Sequence, residues 1–271
     1  MGRLELPLKL EDILDQPYSV FLVGEMGVGK STFLDLLDAY QNYLKKFGLK
    51  ERLFYIFEED PPKDLWQRYM ECKDNEIPDK VIYDVQIYFA RRKHDIMQRS
   101  AGKIDEGIHK PGFYFVDRSL HEDRYVFAEG LKHLFPKDMF DDYVKEVDEY
   151  IKKCPIPNLF IRLEVETPEI SERRIIKRGW GEKHPLSRYH KMAEDYEKYI
   201  EPWITSLNVP IIRIRTDYPH FDFTDAAGQN YFLWSVLTGL HKEKNNKGEP
   251  FWKLSDNLLP QERMIKSYNK E

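Results

Sequence analysis

The nine residues Gly24-Glu25-Met26-Gly27-Val28-Gly29-Lys30-Ser31-Thr32 constrain this chain more than any other stretch. An apolar run, Tyr18 to Val23, precedes them and reads as a buried strand. After them, Phe33, Leu37, Tyr40, Leu44 and Phe47 recur at three- and four-residue steps, the stripe of a helix packed on one side. A glycine-rich turn between a buried strand and a helix calls for a sheet with helices laid against it. Glycines let successive N–H groups curl toward one point at a helix N-terminus, where the helix dipole favours an anion. In that arrangement Gly24 to Thr32 wrap the phosphates of a nucleoside triphosphate. Lys30 reaches the β and γ phosphates, and the Ser31 hydroxyl coordinates Mg²⁺. The loop does not say what the nucleotide is used for.

Four further runs rich in β-branched and aromatic residues follow: Leu53 to Phe57, Gly112 to Val116, Leu159 to Val165 and Val209 to Ile214. Helix-length segments separate them, as in a parallel sheet covered on both faces. The helices expected are Asp79 to about Arg99, Pro136 to Lys153, Pro168 to Arg178, and Leu186 to Leu207, the last broken or ended near Pro202. The predicted architecture is a three-layer α/β fold of the P-loop NTPase type, with a five-stranded parallel sheet flanked by helices and an arginine-rich lid. Residues 1–241 read as one domain. Residues 242–271 read as a polar linker and a tail, in which Phe251, Trp252, Leu254 and Leu258 leave docking open. Asp225-Ala226-Ala227-Gly228 and Asn246-Lys247-Gly248-Glu249 resemble GTPase motifs but lie downstream of every expected strand, so they carry nothing.

Composition narrows the function classes. A net charge of −5 gives no basic footprint for nucleic acid. Cys72 and Cys154 are too few for a disulfide framework and suit reduced thiols. Met1 to Gln16 interleaves charges with its leucines, unlike a signal peptide, and no run approaches the roughly 18 apolar residues of a membrane span. The expectation is a soluble cytoplasmic chain, with the mitochondrial matrix left open as the alternative.

In an open parallel sheet, ligands sit outside the carboxyl ends of the strands. The second run ends in Glu58-Glu59-Asp60-Pro61 and the third in Asp117-Arg118-Ser119, so both ends face the phosphate loop. Phosphoryl transfer to an alcohol needs a proton acceptor, a metal bridging phosphates, and cations over the developing charge. Arg173, Arg174, Lys177 and Arg178 crowd one helix that runs into Gly179-Trp180-Gly181, the pattern of a cationic lid.

Together these motifs resemble the deoxyribonucleoside kinase family, from about Tyr18 to Arg215. The segment Val116-Asp117-Arg118-Ser119-Leu120-His121-Glu122-Asp123-Arg124-Tyr125 is similar to the family's E/D-R-S segment, in the form seen in bacterial purine deoxynucleoside kinases. Gln86 matches the family's glutamine on a long helix. Arg174-Ile175-Ile176-Lys177-Arg178-Gly179 with Pro185-Leu186-Ser187-Arg188-Tyr189 matches its lid pattern. The resemblance implies transfer of the γ-phosphoryl of ATP, or another nucleoside triphosphate, to the 5′-hydroxyl of a deoxynucleoside by a homodimer. It implies that Glu58 or Glu59 is the base, with Asp60 an outside choice, that Asp117 and Ser31 hold Mg²⁺, and that Arg118 orients the 5′-oxygen. Gln86 would read the base together with Asp123 and Lys93, or Arg92 if the register slips. Tyr69 and Glu182 would meet the 3′-hydroxyl, and Arg174 and Arg178 would be the lid cations. A basic–acidic pair beside the base goes, within the family, with purine or deoxycytidine use.

The chain departs from the family pattern in three places: extra residues between Glu58 and Trp66, Trp180 where a third lid arginine is usual, and the tail. Two competing readings stay open. A thymidylate-type monophosphate kinase needs extra cations for its acceptor near Arg118 and Gln86. A non-catalytic structural subunit tends to lose the lysine and carboxylate that Lys30 and Asp117 supply here.

Overall fold

The computed structural model describes residues 17–46, 54–57, 61–74, 77–100, 112–177 and 186–217. Its frame is a five-stranded parallel sheet in the order β2-β3-β1-β4-β5, formed by β1 (Pro17–Val23), β2 (Phe54–Phe57), β3 (Gly112–Asp117), β4 (Leu159–Glu164) and β5 (Ile211–Arg215). The central strand β1 pairs with β3 on one side and β4 on the other. The five apolar runs of the sequence are these strands, with ends shifted by one or two residues.

Side chains alternate across the sheet with a period of two, and each face has its own core. Val20 and Leu22 point with Phe113, Phe115, Ile161 and Leu163 toward α1 (Lys30–Lys46), where Phe33, Leu34 and Leu37 meet them. Phe21 and Val23 point the other way with Val116 and Phe160, into a larger cluster. That cluster is covered by α3 (Lys80–Ser100), α4 (Leu120–Glu122 with its continuation to Ala128), α5 (Met139–Lys153) and α7 (Leu186–Asp195). Helix α2 (Lys63–Asp74) packs on α3 through Trp66 and Tyr69, with Trp66 edge-on to Phe89 at 6.1 Å between centroids. The helix α6 (Pro168–Lys177) follows β4.

Among the described residues, two helices contain π-helical segments, Asp123–Ala128 after α4 and Tyr196–Ile200 after α7. They face each other through stacked rings, Tyr125 on Tyr199 at 5.5 Å and His121 on Trp203 at 3.7 Å. The expected break at Pro202 is placed differently. Helix α8 (Glu201–Ser206) continues through Pro202, which sits in its first turn, and the irregularity lies just before it. Proline has no N–H to return to the carbonyl four residues back, so the wider turn falls on the residues preceding it. The described part of the predicted Leu186 to Leu207 helix is thus one interrupted rod. Among the described residues, no helix is long and apolar enough to cross a membrane.

Candidate active site

The phosphate loop leaves the end of β1 with its glycines in conformations other residues avoid. Gly27 and Gly29 have φ of 86° and 102°. A Cβ on Gly24 would stand 2.4 Å from the Leu163 carbonyl oxygen, and one on Gly27 would stand 2.7 Å from that of Ser171. Close approach to β4 and α6 therefore fixes glycine at both positions. Val28 is buried, Met26 packs at the edge of the core, Ser31 is exposed and Thr32 is half-buried. Lys30, at the head of α1, is 5% exposed and folds back to donate to the carbonyls of Gly24 and, at 2.8 Å, Glu25.

The electrostatics tie the loop to the neighbouring strand. The Lys30 ammonium is pulled down to about 8, chiefly by burial and then by Arg118, while Asp117, Glu122 and Glu25 oppose the shift. A phosphate would restore its charge, since an anion within a few ångströms favours the protonated amine. Burial raises the Glu25 carboxyl, and Arg162 and Lys30 pull it back.

Strand β3 ends at Asp117, and Arg118 turns into the left-handed region at φ 65° while its N–H extends the ladder to the Leu22 carbonyl at 2.8 Å. That turn swings the guanidinium over the Phe127 ring at 4.2 Å. Burial works against the Arg118 charge, but Asp117, Tyr196, Asp123 and Glu122 outweigh it and raise its pKa. The Oδ1 atom of Asp117 is buried without a hydrogen-bond partner. An acceptor-only carboxylate oxygen with no donor suits a cation. Together with the exposed Ser31 hydroxyl, it fits the sparse protein ligation typical of Mg²⁺, which takes one or two carboxylates plus substrate phosphates.

A second group of predicted residues gathers on α2, α3 and α4. Tyr69 and Gln86 are both buried and hydrogen-bonded to each other. Burial raises the Tyr69 hydroxyl pKa, opposed by Arg188 and by the Gln86 bond. Lys93 is buried and donates to the Asp117 main-chain carbonyl, whereas Arg92 is exposed, so the helix turns Lys93 inward. Asp123 is buried at the start of its π segment. Arg174 lies beside the loop, donating to the Gly27 carbonyl at 3.4 Å, to the Thr216 hydroxyl at 2.8 Å and to the Thr216 carbonyl at 2.9 Å. Glu58, Glu59, Asp60, Arg178, Trp180 and Glu182 lie outside the described residues.

Comparison with known proteins decides the family. A model of the deoxynucleoside kinases matches residues 21–232. This chain belongs to the deoxynucleoside kinase family. Among solved structures, it is similar to deoxyadenosine kinase from M. mycoides with bound dATP, at 18% identity and a TM-score of 0.55, covering 81% of this chain and 99% of that one. The same enzyme with products dCMP and a flexible dCDP gives 19% identity and a TM-score of 0.54, covering 81% and 98%. With bound dCTP it gives 18% and 0.54, with the same coverage. At these identities the likeness establishes the fold alone. No match is found among curated proteins.

Some side chains of this family member escaped the sequence reading. Glu122 is wholly buried beneath the loop, Thr216 donates to the Val28 carbonyl at 2.7 Å, and Arg188 faces Tyr69. Only Glu122 had a local signal: Ser119-x-x-Glu122 is a capping box, and both of its reciprocal bonds are made. Thr216 is 188 residues from its partner in the loop, a distance over which no motif reads.

Proposed function

We propose that this family member transfers the γ-phosphoryl group of ATP, or another nucleoside triphosphate, to the 5′-hydroxyl of a deoxynucleoside, a purine deoxynucleoside or deoxycytidine. The observation that carries the reading is the placement of buried Lys30, at the head of α1 after the phosphate loop, beside Asp117 and Arg118 at the carboxyl end of the adjacent strand β3. Lys30 and the loop amides hold the phosphates, and Arg118 orients the 5′-oxygen. Ser31 and Asp117 would hold Mg²⁺, which would offset the negative charge of the phosphates. Glu58 or Glu59 takes the hydroxyl proton. The Gln86 amide, able to donate and accept, reads the base with Asp123 and Lys93, while Tyr69 and Glu182 meet the 3′-hydroxyl. Arg174 acts from the flank of the loop and Arg178 from the lid.

The inward turn of Lys93, with Arg92 outside, supports the basic–acidic pair beside the base. A lysine lacks the planar fork of arginine, so it grips the base edge less rigidly. The test is a set of steady-state rates with the four deoxynucleosides and their monophosphates, ATP and magnesium present throughout. Deoxyadenosine or deoxyguanosine is expected to lead, ahead of deoxycytidine. A clear preference for thymidine defeats the base assignment, and a preference for monophosphates defeats the acceptor assignment. Lys30→Ala is expected to lower kcat by about 100-fold or more. Unchanged turnover in that variant defeats the catalytic reading.

A further inference from the structure

The Glu122 carboxylate is fully shielded from solvent, yet it meets four donors. Oε1 accepts from the Gly24 N–H at 3.2 Å and from the Tyr196 hydroxyl. Oε2 accepts from the Ser119 N–H at 2.7 Å and the Ser119 hydroxyl at 3.0 Å. These donors come from three places separated in the chain: the first residue of the phosphate loop, the turn immediately after Asp117 and Arg118, and the π segment following α7. Gly24 is held on both sides, because its N–H is bound by Glu122 and its carbonyl receives Lys30.

A carboxylate buried this deeply is costly unless its donors are fixed around it, and an apolar or neutral residue would cap a helix at less expense. An ordinary capping box leaves its glutamate at the helix surface and reaches only its own N-cap. Here the second oxygen is spent on a different strand and a different helix. Glu122 has no exposed surface with which to touch a substrate. What it sets is the distance between the groups that do.

We infer that Glu122 is a positioning residue for phosphoryl transfer: by joining Gly24, Ser119 and Tyr196, it fixes the phosphate loop against the Asp117–Arg118 turn and links both to α7. The inference rests on the kinase reading above and deepens it. Neighbouring acceptor-side residues, Tyr69 and Gln86, make none of these bonds, so the effect belongs to donor alignment and not to nucleoside capture.

Two variants test it. Glu122→Gln keeps the volume but turns one acceptor oxygen into an NH₂, which cannot accept from its donors. Tyr196→Phe removes a single donor and leaves the carboxylate in place. Each is measured for melting temperature, for ATP affinity with magnesium, for deoxynucleoside affinity by tryptophan fluorescence without ATP, and for kcat. In Glu122→Gln, kcat is expected to fall about 10- to 100-fold, as small misplacements of reacting groups do, and ATP to bind more weakly. Deoxynucleoside affinity is expected to stay within about 3-fold, with Tyr196→Phe intermediate in kcat. Deoxynucleoside affinity falling in parallel with kcat and melting temperature would show a merely structural cap and overturn the inference. So would a kcat within about 3-fold of wild type. If Glu122→Gln does not fold, wild-type kcat and ATP affinity in Tyr196→Phe overturn it alone. If the wild type phosphorylates none of the four deoxynucleosides, the kinase reading fails, and ATP affinity in the two variants still decides the role of Glu122.

Discussion

His121 shows how a single side chain can set an acid limit on this fold. Its imidazole lies flat on Trp203 with centroids 3.7 Å apart, and its Nδ1 atom is buried without a hydrogen-bond partner. Burial alone pushes its pKa down to about 4. The folded chain thus keeps His121 neutral, while the unfolded chain protonates it near the ordinary value of about 6.5. The unfolded state binds more protons between those two values, so stability falls as pH drops from about 6.5 toward 4. The loss is expected to reach a few kcal/mol at its lower end. His121→Phe keeps the stacking and removes the titration. Its melting temperature is expected to change less than that of the wild type between pH 7 and pH 5, and an equal change in both would refute the assignment. The phosphate loop was readable at this scale because its spacing is dictated by backbone geometry within nine residues. The bonds of Glu122 were not, since Gly24 and Tyr196 stand 98 and 74 residues away from it.

Among elements, the junction of the phosphate loop with α6 and β5 concentrates on Thr216. This residue is wholly buried, and its N–H carries the β4 ladder one step past β5 by bonding the Glu164 carbonyl at 2.9 Å. Its hydroxyl donates to Val28 at 2.7 Å and accepts from Arg174 at 2.8 Å. One hydroxyl thus connects the loop, the helix after β4 and the end of β5. Thr216→Val has the same shape and leaves the buried Val28 carbonyl without that donor, at a cost of about 1–3 kcal/mol. A drop in melting temperature of several degrees and a weakening of ATP binding by about 5-fold or more are expected. Wild-type ATP affinity in this variant would mean that the loop holds its shape without β5. At this scale the strands and long helices are legible from period alone, but α2 is not. Leu65, Trp66, Tyr69 and Met70 carry helical spacing in that helix, masked in the sequence by the charged residues between them. The π segments had no signal, because a single widened turn keeps the apolar stripe nearly in phase.

Over the whole molecule, the sheet changes character from one edge of its strands to the other, and no local pattern could have revealed it. The number of strands was readable, but the order β2-β3-β1-β4-β5 was not, since parallel crossovers leave no turn signature between partners. That order sets Arg162 of β4 directly beside Arg213 of β5, on the face that carries Phe160 and Ile211 one step earlier. Apolar core therefore gives way to charge at the carboxyl edge, next to the phosphate loop. Two arginines side by side repel, and Glu201 at the head of α8 bridges both, while Glu164 and Glu197 approach Arg162 at 3.4 and 3.3 Å. Arg162 is nearly inaccessible, and Glu201→Leu leaves it only the longer contacts to Glu164 and Glu197, at an expected cost of about 3 kcal/mol in urea unfolding. Arg162→Met combined with Glu201→Leu replaces the pair by apolar volume, and the double variant is expected to be more stable than Glu201→Leu alone. Arg162 also lowers the pKa of Glu25 within the loop, so ATP affinity is expected to remain impaired in the double variant although stability returns. Additive losses would show that Arg162 and Glu201 act independently. A double variant that regains both stability and ATP binding would show that the charged edge supports the fold without serving the loop.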